Sequence, residues 1–155
     1  MRKTIIITLL IISTMILTAC SSQRVYDTFK HVDDQGWEKN DELTFCIPKM
    51  AESGYYTLEL GLRLNNYYPF RNLQLAVIQT VYPSLETHTD MLTLDIADSQ
   101  GKMNGSGVSL YQYSQMFRKY RLQENDSISV RIRHDMKREI LPEVMDVGVI
   151  IRKSQ

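Results

Sequence analysis

Tyr56-Thr57-Leu58-Glu59-Leu60-Gly61-Leu62-Arg63-Leu64 places an apolar side chain at every second position and a polar or small residue between. Successive side chains of a β-strand point to opposite faces, so this stretch reads as a strand with one apolar row toward a core. The same period recurs on either side of it. Leu73, Leu75, Val77 and Val81 alternate with Gln74 and Ala76, Gln79 interrupts the row, and the strand ends near Pro83. Leu92, Leu94 and Ile96 form a third row, closed by the turn-like Asp98-Ser99-Gln100-Gly101. Ile128, Val130 and Ile132 alternate with Ser127, Ser129, Arg131 and Arg133 after the turn Glu124-Asn125-Asp126. Val147, Val149 and Ile151 give a last strand, and Leu43, Phe45 and Ile47 an early one stopped by Pro48. Short strands at fairly regular spacing with turn residues between them predict an all-β fold, an antiparallel β-sandwich in which a jelly-roll arrangement is one option. Two segments break the period. Residues 108–122, with Tyr111, Tyr113 and Phe117, read as a strand followed by a helical turn; residues 138–145, with Pro142 inside, read as a short helical or looped excursion.

Upstream of the first patterned residues the chain changes character. Arg2 and Lys3 precede about 14 apolar or hydroxyl residues, and these end in Leu17-Thr18-Ala19-Cys20. That run is too short for a transmembrane helix, which needs about 20 apolar residues. It reads as a secretory signal peptide over 1–19 ending in a lipobox, with Cys20 as the lipid-bearing first residue of the mature chain. Residues 20–24 form a short tether and residues 25–155 one sandwich domain of ordinary size. Two or three acyl chains hold a protein on a membrane almost permanently, so the expected state is anchored without spanning.

Composition excludes some functions. Without residues 1–19 the chain carries 16 basic and 18 acidic side chains, which gives no basic face for a nucleic acid. With Cys20 lipidated, Cys46 has no disulfide partner within the chain and reads as a small residue in a strand. No cofactor is expected beyond the covalent lipid on Cys20. Gly105-Ser106-Gly107 lacks the outer glycines of a nucleophile elbow, with Asn104 and Val108 in their places, and reads as a turn or bulge. His88 with Asp90 and His31 with Asp33 are pairs in polar, loop-like sequence, and two ligands do not make a metal site. A calcium loop from Asp95 fails at Ala97, Ser99 and Gln100, so a turn accounts for Asp98. No catalytic constellation emerges, and the chain reads as a non-enzyme.

Two surfaces remain as candidates for binding. The first is Asn65-Asn66-Tyr67-Tyr68-Pro69-Phe70-Arg71-Asn72, three aromatics and a proline between the two longest strands, where a plain connection needs none. Exposed Tyr and Phe with Arg can anchor a protein interface or stack on a sugar; the competing reading folds them back over the end of the sandwich. The second is the basic run Arg131, Arg133, His134, Lys137 and Arg138, otherwise a solvated face. Trp37 reads as a core or edge-packing residue.

Taken together, these residues resemble the gliding-motility lipoprotein family GldH of the Bacteroidetes over essentially the whole mature chain. The resemblance rests on Val25-Tyr26-Asp27 with Phe29, on Trp37 followed by Asp41, and on the stretch from Leu62 to Leu73, of which Arg63 to Asn72 is the most specific part. It continues through Gly105-Ser106-Gly107 and His134-Asp135-Met136-Lys137 to Leu141 and Asp146-Val147-Gly148. Two places depart from it: Met103 and Asn104 replace an aromatic before Gly105, and Glu143 stands where a glycine is usual. The resemblance implies a non-enzymatic cell-envelope lipoprotein, needed for gliding and linked to the secretion apparatus that exports the adhesins. Its partners would be proteins of that machinery and the membrane, with an envelope glycan as the alternative. Only the lipid site at Cys20 carries over residue by residue. Ser21 and Ser22 lack an acidic surface-export cluster, which points to the periplasmic face of the outer membrane.

Overall fold

The computed structural model describes residues 23–154; the expectations for residues 1–22, Cys20 included, lie outside them. The described residues are all-β, with strands β1 (Arg24–His31), β2 (Trp37–Glu38), β3 (Leu43–Ile47), β4 (Gly54–Asn65), β5 (Asn72–Tyr82), β6 (Glu86–Asp95), β7 (Ser106–Gly107), β8 (Leu110–Leu122), β9 (Ser127–His134), β10 (Ile140–Leu141) and β11 (Val144–Ser154). One sheet has the order β1-β11-β4-β8-β7 and the other β3-β9-β5-β6, with β10-β2 a small third pair. Counted in chain order, the eight long strands run 1-8-3-6 in one sheet and 2-7-4-5 in the other, every neighbour antiparallel. That is the jelly roll, two sheets interlocked by Greek-key connections.

The alternation seen in the sequence builds the core. Tyr56, Leu58, Leu60, Leu62 and Leu64 of β4, Val147, Val149 and Ile151 of β11, Leu73, Leu75 and Val77 of β5, and Val130 and Ile132 of β9 are all buried in one cluster between the sheets. Gln79 continues the inward row of β5 fully buried, its amide satisfied by donating to the Val77 carbonyl at 2.7 Å and accepting from the Tyr120 hydroxyl at 3.1 Å. Cys46 lies in edge strand β3 with its side outward.

Of the two segments that break the period, the first departs from expectation and the second takes the looped alternative. Residues 108–122 contain no helical turn: β8 is continuous, with a bulge where Met116 faces Glu59 and Arg118 faces Leu58, leaving Phe117 unpaired. Residues 138–145 are no helix either, but β10, a turn at Pro142 and Glu143, and the start of β11. Residues 24–31, which carry no alternation, form edge strand β1 along β11.

Strand direction sorts the connections to two ends. Both described termini, the β3–β4 connection, the β5–β6 turn and the β8–β9 turn gather at one end, where Lys153 N–H donates to the Gln23 carbonyl at 3.1 Å and Met50 N–H to that of Asp126 at 2.7 Å. The loops at 32–42, 66–71, 96–109 and 135–143 gather at the other, about 40 Å away along the 12 residues of β4.

Candidate functional site

The loop end far from Gln23 is tied together by backbone hydrogen bonds. Asn65 N–H donates to the Glu143 carbonyl at 3.0 Å, Asn66 N–H to Ser109 at 3.1 Å, and Ile96 and Ala97 N–H to Arg71 at 2.8 and 3.1 Å. The β4–β5 turn is therefore the hub against which the other loops are set.

Within this hub the aromatics divide. Tyr68 does not stand exposed: it is 6% accessible, donates its hydroxyl to the Asn72 carbonyl at 3.1 Å, and meets Phe70 edge-on at 5.6 Å between ring centres. Burial pushes its ionisation well above the ordinary tyrosine value. Phe70 is half-buried, and the Arg138 guanidinium lies 5.8 Å from its ring centre, so the aromatic loop and the end of the basic run meet. Tyr67 alone of the three stays open, 75% exposed. Asn66 and Arg71 are exposed beside it, and Asn65 is half-buried.

Three further apolar residues on these loops are exposed, and sequence patterning did not single them out: Val108 at 84%, Leu110 at 45% and Ile140 at 50%. Val108 and Leu110 flank Ser109, which accepts the Asn66 N–H, so they adjoin the Tyr67 turn. The signal that could have found them is their position in connections where polar residues are the rule.

The basic run is not one surface. Arg131 and Arg133 point outward and are paired, Arg131 with Glu42 at 3.0 Å and Arg133 with Asp135 at 3.6 Å. His134, expected on the solvated face, is fully buried. Strand parity explains this, because His134 follows Val130 and Ile132 on the inward row. Its Nε2–H donates to the Trp37 carbonyl at 3.0 Å, with the indole edge-on at 5.4 Å, and Trp37 Nε1–H donates to the Asp41 carbonyl at 2.9 Å. Burial lowers the His134 pKa. His134 and Trp37 thus fix the 32–42 loop to the sandwich.

The remaining ionisable candidates are held by one another. His88 and Asp90 lie on β6 rather than in a loop, and both face inward. Asp90 takes a two-pronged bond from Arg118 at 2.7 and 2.6 Å, which holds its carboxyl below the ordinary range, and His88 is bonded to Glu86 at 2.7 Å. Tyr120 beside them is pushed up to about 12 by burial. Asp98 accepts the N–H of Gln100 and Lys102 at 2.8 and 3.0 Å, the work of a turn residue. Gly107 has φ +149°, in agreement with a tight turn at the glycine pair. His31 sits between Asp34 and Asp146, each at 3.1 Å, and those bonds raise its pKa. Among the described residues, no three His, Cys, Asp or Glu side chains converge on a metal position.

The pattern of the GldH lipoprotein family matches residues 24–151. The gliding motility lipoprotein GldH of Flavobacterium johnsoniae is 31% identical over 154 residues, spanning 94% of this chain and 95% of that one. A GldH homolog of Christiangramia forsetii is 24% identical over 163 residues, 99% of each. Among solved structures, a 4-O-methyl-α-glucuronidase with specificity for decorated arabinogalactans aligns with 88% of this chain over 18% of its own length, at 13% identity and TM-score 0.45. With the family pattern running from β1 into β11, and a relative of that identity alongside it end to end, this chain belongs to the GldH family of gliding motility lipoproteins.

Proposed function

We propose that this lipoprotein is a non-catalytic adaptor of the gliding machinery and its associated secretion apparatus, held by acyl chains on Cys20 at the periplasmic face of the outer membrane. The loop end opposite Gln23 is its partner-binding surface. The observation that carries this reading is polarity. The short tether of residues 20–24 would bring one end of the jelly roll to the lipid, while Tyr67, Val108, Leu110 and Ile140 stand exposed about 40 Å away, on connections that the fold itself does not require to be apolar. Apolar and aromatic side chains at the centre of a patch are the usual energetic anchors of protein interfaces.

The test is crosslinking in intact cells and affinity purification through a tag after Gln155, next to the tethered end and clear of the loops. Wild type is expected to recover envelope proteins of the gliding or secretion machinery, and the Tyr67→Ala, Ile140→Ser double variant to lose them while remaining folded. Undiminished recovery, or a preparation carrying only glycan, overturns the assignment of this surface.

A further inference from the structure

We propose that the tethered end of the jelly roll is itself a membrane-binding face, seated on an anionic phospholipid leaflet. This rests on the lipid anchor at Cys20. Only Ser21 and Ser22 separate Cys20 from Gln23, and three extended steps of about 3.5 Å allow the domain a lift of only about 10 Å. Whatever this end exposes is therefore held at the depth of the lipid head groups.

What it exposes fits that place. The β5–β6 turn lies at this end, with Tyr82 42% and Leu85 65% exposed. Leu85 has φ +60°, a left-handed conformation that glycine or asparagine adopts with less strain. A leucine there strains the turn and buries little of itself in the fold. Tyr55, on the first strand after the neighbouring connection, is 50% exposed. Tyrosines and an aliphatic tip at one end match an interfacial belt, in which amphipathic rings sit at head-group level.

The charges agree. Lys49, Lys119 and Arg121 are exposed at this end and take part in no ion pair among the described residues, Lys119 Nζ lying 5.1 Å from the Tyr55 ring centre. Of the acidic groups near them, Asp27 is paired with Arg24 and Glu52 with Lys153, Glu86 is hydrogen-bonded to His88 and Asp126 accepts the Gln123 N–H, leaving Glu124. Unpaired Lys and Arg around exposed tyrosines suit anionic lipid, their long stems lying along the apolar groups while the charges reach phosphate.

The mature lipoprotein, in a Cys46→Ser background, is reconstituted into vesicles of phosphatidylethanolamine and phosphatidylglycerol at 7:3 with an environment-sensitive fluorophore on Leu85→Cys or Val108→Cys. Quenching by a head-group-proximal lipid quencher is expected to be at least three-fold stronger at position 85 than at 108. It should fall at least two-fold when Lys49, Lys119 and Arg121 are all changed to Glu. Equal quenching at the two positions, or quenching at 85 indifferent to those charges, overturns the proposal. Mass spectrometry of the same preparation reads acylation of Cys20 separately. If Cys20 is bare, the anchor reading fails, and the mature Cys20→Ser chain held by an N-terminal histidine tag on nickel-chelating lipid still decides whether this end engages the leaflet.

Discussion

The Arg63 guanidinium lies 4.2 Å from the centre of the Phe29 ring. Beneath that ring are Gly61 and Gly148, directly opposite one another on β4 and β11, with Phe29 opposite Gly148 on β1. A Cβ added at Gly61 would lie 2.5 Å from Phe29 Cζ, and one at Gly148 2.6 Å from its Cδ1. The two glycines form a trough in the outer face of the sheet, the ring fills it, and Arg63, bonded to Asp146 at 3.4 Å, covers the ring. Edge strand β1 has few inward apolar residues, so this plug holds it on the sheet.

Gly148→Ala should therefore displace the ring and lower stability by about 2 kcal/mol, with faster amide exchange along β1 than elsewhere. In a Phe29→Ala background the same substitution should have little further effect. Urea unfolding of the four members of the cycle measures this; additive losses would show that the glycine serves something other than the ring.

Glu143 has φ +64°, which explains why glycine is usual at this position of the family resemblance. A side chain in the left-handed region is strained by about 1 kcal/mol or more, part of which glycine returns through greater freedom in the unfolded chain. Glu143→Gly should raise Tm by a few degrees, roughly 4 °C for about 1 kcal/mol, measured by thermal unfolding. The Glu143 carbonyl that accepts from Asn65 N–H belongs to the backbone and is kept.

His134 supplies a pH dependence of known sign. Its folded pKa is lowered, chiefly by burial, so below the unfolded value of about 6.5 the unfolded chain binds the proton more readily. The stability it lends is complete above that pH and declines as pH falls toward the folded pKa. His31 runs oppositely: with a raised folded pKa, it stabilises most below 6.5 and loses that contribution as pH rises through the folded value. Tm measured from pH 5 to pH 8 should fall more steeply toward acid in His31→Ala than in wild type. His134→Gln, which keeps a donor for the Trp37 carbonyl, should lose about 2 kcal/mol at pH 7 and show a flatter acid limb.

Tyr67 and Tyr68 are neighbours with opposite roles. Tyr68→Ala should cost about 3 kcal/mol, as truncations of buried aromatics do, and Tyr67→Ala less than about 0.5 kcal/mol. Denaturant midpoints read the first difference and partner recovery the second: loss of recovery in the Tyr67 variant at unchanged midpoint separates binding from folding.

The strands of the sandwich are plain in the sequence wherever one face is buried and the other wet, as in β4, β5 and β9, because the side-chain period and the burial period coincide. They are hidden where that coincidence fails. In β8 the unpaired Phe117 shifts the phase, so the inward residues run Tyr111, Tyr113, Gln115, Phe117 and then Arg118, Tyr120, Leu122, a series no single period describes. In β1 the most important apolar residue, Phe29, packs on the outside over glycines, inverting the usual rule. Of the candidate site, the β4–β5 turn was legible from its composition. Which aromatic remains open was not, since Tyr67 and Tyr68 differ only in which way the turn rotates them; Val108 and Leu110 join the turn only through the bond from Asn66 N–H to Ser109, and Ile140 reaches this end through its pairing with Glu38.

The antiparallel pairing of β1 with β11 has a mechanical consequence. On the proposed arrangement a lipid anchor would draw on β1 from its Arg24 end, while a partner on the far loops would draw on β11 from its Val144 end through the connection at 135–143. Traction between them would pull the two neighbours past each other along their length, so the ladder from Arg24 to His31 resists in shear, its bonds loaded together instead of unzipping one by one. The glycine trough and its ring sit within that ladder, toward its His31 end, as a detent against sliding. The β1–β11 pair is thereby built to resist a pull applied at its two opposite ends.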